Sequence, residues 1–155
     1  MKSVLAIDIG GTFIKYGLIH ENYQISNKGK VKTPNTTTKD FLNELKSLYD
    51  FYKEEIGGIA ISAPGRISEE GVMLTAGILE YLEGFNLAQE LSEVCDGISV
   101  TVENDGKAAA LCEATIGSGK DYPNSVALIF GTGIGGGVII NKEILRGCYL
   151  IAGEF

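Results

Sequence analysis

Three short stretches carry residue types that can do chemistry. In Asp8-Ile9-Gly10-Gly11-Thr12 a carboxylate stands at the end of an apolar run and two glycines follow it. Backbone N–H groups in such a turn can cradle a phosphate, because glycine lets a ligand come close to the main chain. Asp8 is placed to orient a hydrated Mg2+, an ion that keeps several waters when bound. Thr12 and Lys15 are within chain reach of phosphate oxygens. The competing reading is a plain hairpin turn with a capping Asp, and the pentapeptide alone does not separate the two. No Gly-Lys-Ser/Thr ending follows, which excludes a P-loop.

The second stretch is Gly131-Thr132-Gly133-Ile134-Gly135-Gly136-Gly137. It contains a Gly-x-Gly-x-x-Gly, but that fingerprint should open a helix, and here β-branched Val138-Ile139-Ile140 continue as a strand. A turn offering consecutive N–H donors to an anion, with Thr132 as a hydroxyl donor, fits better. Five glycines in seven positions exceed what a structural loop needs, so a ligand-facing role is favoured. The third stretch, Glu103-Asn104-Asp105, falls where a strand ends and a helix begins, the place where ligands bind in open α/β sheets. An Asp there can accept the proton of a substrate hydroxyl as its oxygen attacks phosphorus, and Asn104 can donate to and accept from sugar hydroxyls. Asp is also a favoured helix N-cap, and an isolated Asn-Asp pair reads first as a cap. Agreement with the two glycine turns reverses that preference.

Lesser candidates lie between. Gly65 in Ala63-Pro64-Gly65-Arg66 lets backbone approach a ligand at another strand end. Arg66 is either a substrate contact or, more simply, a solvated loop residue. Ala76-Gly77 and Gly84-Phe85-Asn86 are pocket segments or turns.

These residues need a frame. Val4–Ile9 and Phe13–Ile19 read as strands joined into a hairpin by the Gly-Gly link, and Gln24–Val31 as a third strand. Thr38–Glu55 carries Phe41, Leu42, Leu45, Leu48, Tyr49 and Tyr52 at helical spacing, with Thr38 or Asp40 near its start. Gly58–Ser62 is a short buried strand, Ile67–Thr75 an irregular excursion, and Leu87–Cys95 a helix. Ile98–Val102 is a strand and Gly106–Ile116 an alanine-rich helix. The Gly117–Pro123 connection suggests a domain boundary, giving residues 1–118 and 119–155. Ser125–Phe130 and Val138–Ile140 are strands on either side of the second glycine turn, so the chain repeats its strand–glycine–strand opening.

Composition narrows the class. The 155 residues are 45% hydrophobic with net charge −7, enough apolar content for a core and the wrong charge for a phosphate-backbone binder. The expectation is no nucleic-acid partner. Val126–Phe130 is too short to cross a bilayer, and no secretory apolar segment precedes Asp8, so a cytoplasmic protein without a membrane partner is expected. Three cysteines, Cys95, Cys112 and Cys148, form no C-x-x-C pair and read as buried free thiols, with Cys112 packing on its helix. The lone His20 reads as a surface residue. Glycine, 21 residues, is nearly twice its usual share of about 7%.

In this order the motifs resemble those of the ROK family of sugar kinases and related repressors. Asp8-Ile9-Gly10-Gly11-Thr12-x-x-Lys15 is similar to its first phosphate motif and Gly131–Gly137 to its second. Glu103-Asn104-Asp105 with Ala108-Ala109 and Glu113 is similar to its catalytic segment. Ala152-Gly153-Glu154-Phe155 resembles the start of its Ala-Gly-Glu-x-Gly-His segment. The resemblance spans essentially the whole chain. It implies an α/β fold of the actin/hexokinase/Hsp70-like ATPase (ribonuclease H-like) type, with an N-terminal lobe and the first strands of a C-terminal lobe. It further implies ATP-dependent phosphorylation of a hexose or hexose derivative, usually at its 6-hydroxyl, with Asp105 as base. Gly65, Arg66, Gly77, Asn104 and Glu154 are then expected at the sugar. Asp8, Gly10, Gly11, Thr12, Lys15, Gly131, Thr132, Gly133 and Gly135 are expected at the nucleotide phosphates, with Asp8 holding Mg2+ through water.

The family's Gly-His, its zinc-binding cysteines, a second pocket Glu and its adenosine-binding part belong beyond Phe155. The chain therefore reads as a fragment, not competent alone, with zinc and homodimerisation left to the further part. The alternatives are the sugar-binding domain of a ROK repressor, disfavoured by acidic charge, a retained Asp105 and the short segment before Asp8, and a non-catalytic fragment.

Overall fold

The computed structural model describes residues 2–131 and 133–155. The order of elements is β1 (Ser3–Ile9), β2 (Phe13–Ile19), β3 (Ile25–Lys32), α1 (Thr38–Tyr52), β4 (Ile56–Ala63), α2 (Leu87–Val94), β5 (Val100–Asn104), α3 (Asp105–Thr115), β6 (Ser125–Phe130), β7 (Ile134–Ile140) and β8 (Glu143–Ile144). Two compact units result, Met1–Val102 and Glu103–Phe155.

In the first unit the sheet order is β3-β2-β1-β4-β5. The β1–β2 hairpin is antiparallel and β1 runs parallel to β4, the mixed α/β pattern expected of a ribonuclease H-like unit. Alternation along β1 buries Leu5, Ile7 and Ile9 and leaves Asp8 on the opposite face. Along β4 the same rule buries Ile59 and Ile61 and puts Ser62 level with Asp8. Against the buried face lies α1, whose Phe41, Leu45, Leu48, Tyr49 and Tyr52 recur at helical spacing and are all buried. Its N-cap is Thr37, one residue earlier than the sequence suggests. The Thr37 hydroxyl accepts from Asp40 N at 3.1 Å, while the Asp40 carboxylate accepts from the Thr36 and Thr37 hydroxyls. Those two bonds hold the Asp40 carboxyl below the usual carboxylate range.

The irregular segment between β4 and α2 is a packed layer. Met73, Ala76, Leu79 and Leu82 have essentially no exposure and join the core cluster around Phe41 and Leu5. Isolated bridges Ile67–Met73 and Val72–Asn86 shape it, and Asn86 caps α2 by accepting from Gln89 N at 3.1 Å. His20 is half-buried rather than on the surface. Its two ring nitrogens meet the hydroxyls of Ser3 at 2.9 Å and Ser26 at 2.7 Å, because β1, β2 and β3 bring all three together.

In the second unit β6 and β7 form an antiparallel hairpin with Phe130 opposite Ile134. Strand β7 therefore begins at Ile134, four residues before the expected Val138, and Gly135, Gly136 and Gly137 lie within it. Helix α3 packs Ala110 and Ala114 against Ile139, so the Gly117–Pro123 connection lies inside this unit. The β7–β8 turn places Asn141 and Lys142 at positive φ, 52° and 69°, as a two-residue hairpin loop of twisted strands requires. From there Lys142 Nζ donates to the carbonyls of Ala114, Gly119 and Lys120, closing the C-terminal end of α3. Of the expected buried thiols only Cys95 is buried; Cys112 and Cys148 are exposed, since Cys112 lies on the α3 face turned away from the Ala110–Ala114 stripe. Among the described residues no helix is long and apolar enough to cross a membrane.

Candidate functional site

The first unit positions the Asp8 group. Register sets Asp8 opposite Lys15 on β2 and Ser62 on β4. Accordingly, Lys15 Nζ lies 3.7 Å from Asp8 Oδ2, and Ser62 Oγ donates to Asp8 Oδ1 at 3.1 Å. Both charged side chains are exposed, so their pairing is solvent-screened and open to a ligand. The Gly10-Gly11 turn is braced from below. Gly10 N donates to the Phe13 carbonyl at 3.1 Å, and the buried Thr33 donates its hydroxyl to the Gly10 carbonyl at 2.6 Å and its N–H to the Thr12 carbonyl at 3.0 Å. At Gly10 the fold demands glycine, because a Cβ there would lie 2.9 Å from the Phe13 carbonyl oxygen; a Cβ at Gly11 would meet only the Ile78 side chain, with Cγ2 at 2.7 Å, which is free to move aside. Ile78, itself 79% exposed, thus brings the 75–78 segment beside the first glycine turn.

Gly65 has φ of 92° and a Cβ added there would collide with the Thr75 carbonyl, so no other residue fits without strain. Arg66 N donates to Thr75 Oγ1 at 2.9 Å. Its side chain is half-buried, with Nε shielded from solvent and lacking a hydrogen-bond partner among the described residues, unlike the solvated loop residue the sequence suggests. Gly77 has φ of 56°.

The second unit gathers Asn104, Asp105, the glycines of β7 and Glu154. Asn104, not Asp105, is the N-cap of α3: it is buried, and its side-chain oxygen accepts from Lys107 N at 3.0 Å. Asp105 is exposed, with Oδ1 accepting from Gly106 N at 2.8 Å. The first turn of α3 lies against β7 through two glycines, since a Cβ on Gly106 would stand 2.7 Å from the Gly136 carbonyl oxygen. The glycines of the second turn fall into two kinds. A Cβ at Gly136 would collide with the Ala127 carbonyl, and one at Gly137 would lie 2.8 Å from Ala110 Cβ. By contrast Gly131, Gly133 and Gly135 would each point a Cβ into open space. Thr132 lies outside the described residues.

Residues 145–155 fold back over β7. Leu145 N donates to the Val138 carbonyl at 2.8 Å, and Gly153 approaches so closely that a Cβ there would lie 2.8 Å from Val138 N. Lys107 Nζ holds Glu154 Oε1 at 2.6 Å, and Arg146 pairs with Glu103. Thr33, Ser62, Lys107 and Arg146 are the site residues that motif reading misses. Only strand register could have flagged Ser62, and no local signal marks the others.

Among the described residues no group of three or more His, Cys, Asp or Glu side chains is gathered to hold a metal ion. Asp8 alone still fits Mg2+, which is commonly held by one or two carboxylates together with waters and substrate phosphates.

A hairpin with a braced glycine turn, followed by a strand-end Asn-Asp and a second glycine hairpin, defines a chain of the actin/hexokinase-like ATPase fold. The chain belongs to the ROK family, whose sequence profile matches residues 4–155. It is 35% identical over 153 residues to a beta-glucoside kinase of Listeria monocytogenes, covering 98% of this chain and 51% of that protein. It is 33% identical over 158 residues to a glucokinase of Streptomyces coelicolor, covering 100% of this chain and 49% of that protein. Among solved structures, a ROK family glucokinase from Streptomyces griseus in complex with glucose and AMPPNP matches with TM-score 0.86 at 29% identity, covering 99% of this chain and 49% of that one. The chain spans about half the length of the curated relatives it matches.

Proposed function

We propose that this chain is the N-terminal half of an ATP-dependent kinase that phosphorylates the 6-hydroxyl of a hexose or hexose derivative. The observation that carries the reading is the division of labour at the start of α3. Because the Asn104 side chain serves as cap, the Asp105 carboxylate is left exposed, on a helix turn packed against the strand of the second glycine motif. Asp105 then acts as base, taking the hydroxyl proton as the sugar oxygen attacks the γ-phosphorus. Asn104, Glu154, the Gly65 backbone, Gly77 and Arg66 hold the sugar, with the shielded Arg66 Nε available as a donor. The backbones at Gly10–Gly11 and Gly131–Gly135, with Thr12, Thr132 and Lys15, face the phosphates. Asp8 would hold Mg2+ through water, and the ion when bound supplies charge neutralisation at the phosphates. The names of the relatives, a beta-glucoside kinase and a glucokinase, support a sugar acceptor. The remaining half would complete the nucleotide site, so these 155 residues alone are expected to be inactive.

The test is ADP release by the full-length protein over a panel of hexoses, with and without Asp105→Asn. Sugar-dependent ADP release is expected, and the variant should lose at least about 100-fold in turnover, in keeping with loss of a general base, while still binding sugar. No sugar-stimulated release, or full activity in Asp105→Asn, refutes the reading.

A further inference from the structure

Lys107 stands in the first turn of α3, two residues after Asp105, and is 2% exposed. Both facts are unfavourable for an ammonium: burial strips its hydration, and a helix N-terminus repels positive charge. Its partners offset this. Nζ donates to Glu154 Oε1 at 2.6 Å and to the Leu150 carbonyl. Leu150 has φ of 63°, a left-handed conformation that such side chains seldom adopt. At the other end of the segment Arg146 pairs with Glu103, whose second carboxylate oxygen accepts from Asn104 N at 2.8 Å. The 146–154 segment is thus clasped at both ends to the residues flanking Asn104-Asp105.

The clasp at Glu154 is asymmetric. The Lys107 side chain is 3% exposed and that of Glu154 is 34% exposed, so one carboxylate oxygen is fixed inside while the group still reaches solvent. Oε2 takes no hydrogen bond from the described residues. A carboxylate held this way presents one aimed acceptor, suited to a hydroxyl donor on a neutral ligand and unsuited to an anion.

We propose that Lys107 is a positioning residue that aims Glu154 Oε2 at a sugar hydroxyl and thereby sets affinity for the sugar. This rests on the kinase reading for the identity of the ligand, but the tether itself does not depend on that reading.

The test uses the full-length protein with Lys107→Met, which keeps the side chain's length and removes its charge, alongside Lys107→Arg and Glu154→Gln. Lys107→Met should raise the sugar KM by roughly tenfold or more, the scale of a lost charge-assisted hydrogen bond. The ATP KM should stay unchanged and kcat should hold within about threefold, the signature of lost ground-state sugar binding. Glu154→Gln should act in the same direction, adding Lys107→Met to it should have no further effect, and Lys107→Arg should recover most of the sugar affinity. Independently of catalysis, amide exchange at residues 150–154 should quicken in Lys107→Met while α3 stays protected. Equal exchange in the two proteins overturns the tether. Equal rises in both KM values, or a loss of kcat alone, overturn the positioning role. If Lys107→Met does not fold, an unchanged sugar KM in Glu154→Gln overturns it equally. A wild-type protein with no sugar-dependent ADP release sinks the kinase reading, and the exchange comparison still decides the tether.

Discussion

The two kinds of glycine in the second motif make a prediction that separates folding from ligand binding at adjacent positions. Gly135, the second residue of β7, pairs with Ile129, and a Cβ added to it meets nothing within 4 Å. Its neighbour Gly136 would drive a Cβ into the Ala127 carbonyl and to 3.0 Å from Phe155 Cδ2. Glycine inside a strand is less stable than alanine by roughly 0.5–1 kcal/mol, so Gly135→Ala should stabilise the fold. For a chain of this size that corresponds to a Tm rise of about 1–4 °C. Gly136→Ala meets backbone rather than a flexible side chain, and overpacking of that kind costs about 1–3 kcal/mol, a Tm fall of about 2–12 °C. If the open side of Gly135 is where nucleotide phosphates approach, Gly135→Ala should raise the ATP KM roughly tenfold or more by obstructing that approach, while leaving the sugar KM alone. Thermal unfolding by circular dichroism with and without ATP, together with ADP-release kinetics on the full-length protein, reads both quantities. ATP should raise the Tm of the unsubstituted protein more than that of Gly135→Ala, because ligand stabilisation follows affinity. An unchanged ATP KM in Gly135→Ala would refute the phosphate assignment. Equal stability of the two variants would refute the packing assignment.

Further outcomes follow from the α3 cap and the thiols. Asn104→Asp keeps a good cap and should leave stability nearly unchanged, whereas Asn104→Ala should lose about 1 kcal/mol; both should weaken sugar binding, and retained sugar affinity in Asn104→Asp would argue against Asn104 as a donor to the ligand. Iodoacetamide at neutral pH should alkylate Cys112 and Cys148, which are exposed, and spare Cys95, with mass spectrometry as the readout. Burial pushes the Cys95 thiol up to about 11 from an ordinary value of 9.0. The thiol is therefore neutral in both states below 9.0, and as pH rises through 9.0 to about 11 the unfolded chain ionises first and stability falls. Cys95→Ala should flatten the loss of stability over that window in urea titrations, and an unchanged slope would exclude the thiol as its source.

Much of the frame was legible because it rests on local periodicity. The bounds of β2 and β6 are those read from the sequence, and the spacing of Phe41, Leu45, Leu48, Tyr49 and Tyr52 marks α1, which ends at Tyr52, short of the expected Glu55. The start of β7 was not, because Gly135, Gly136 and Gly137 carry no side-chain signal and are strand residues only by virtue of pairing with β6. Burial of Met73, Leu79 and Leu82 was hidden in a segment without period, since a packed layer held by isolated bridges has neither the helical nor the strand repeat. His20 and Cys112 were misplaced for a related reason. A half-buried histidine is defined by serines 17 and 6 residues away on two neighbouring strands, and the exposure of Cys112 depends on which face of an alanine-rich helix meets β7. The same limit applies to the candidate site residues: Asp8, Asn104 and Asp105 are visible as types at strand ends, but Ser62 meets Asp8, Thr33 meets Gly10 and Lys107 meets Glu154 through pairings across 54, 23 and 47 residues.

What makes a residue informative about function here is what remains after the fold has taken its share. Glycine at positions 10, 65, 136 and 137 is accounted for by close contacts or by a positive φ, so its presence there says little about a ligand even inside a ligand motif. At 131, 133 and 135 an added Cβ meets nothing within 4 Å, so close contact does not account for glycine there. The same subtraction applies to Asn104 and Asp105. A helix needs one capping side chain, Asn104 supplies it, and among the described residues the exposed carboxylate one residue later accepts from the N–H of Gly106 alone. Lys107 is the opposite case, a charge that the fold would disfavour at that place and that is held there by Glu154. Residues without a structural reason, and residues placed against one, are where a kinase reading of this chain stands or falls.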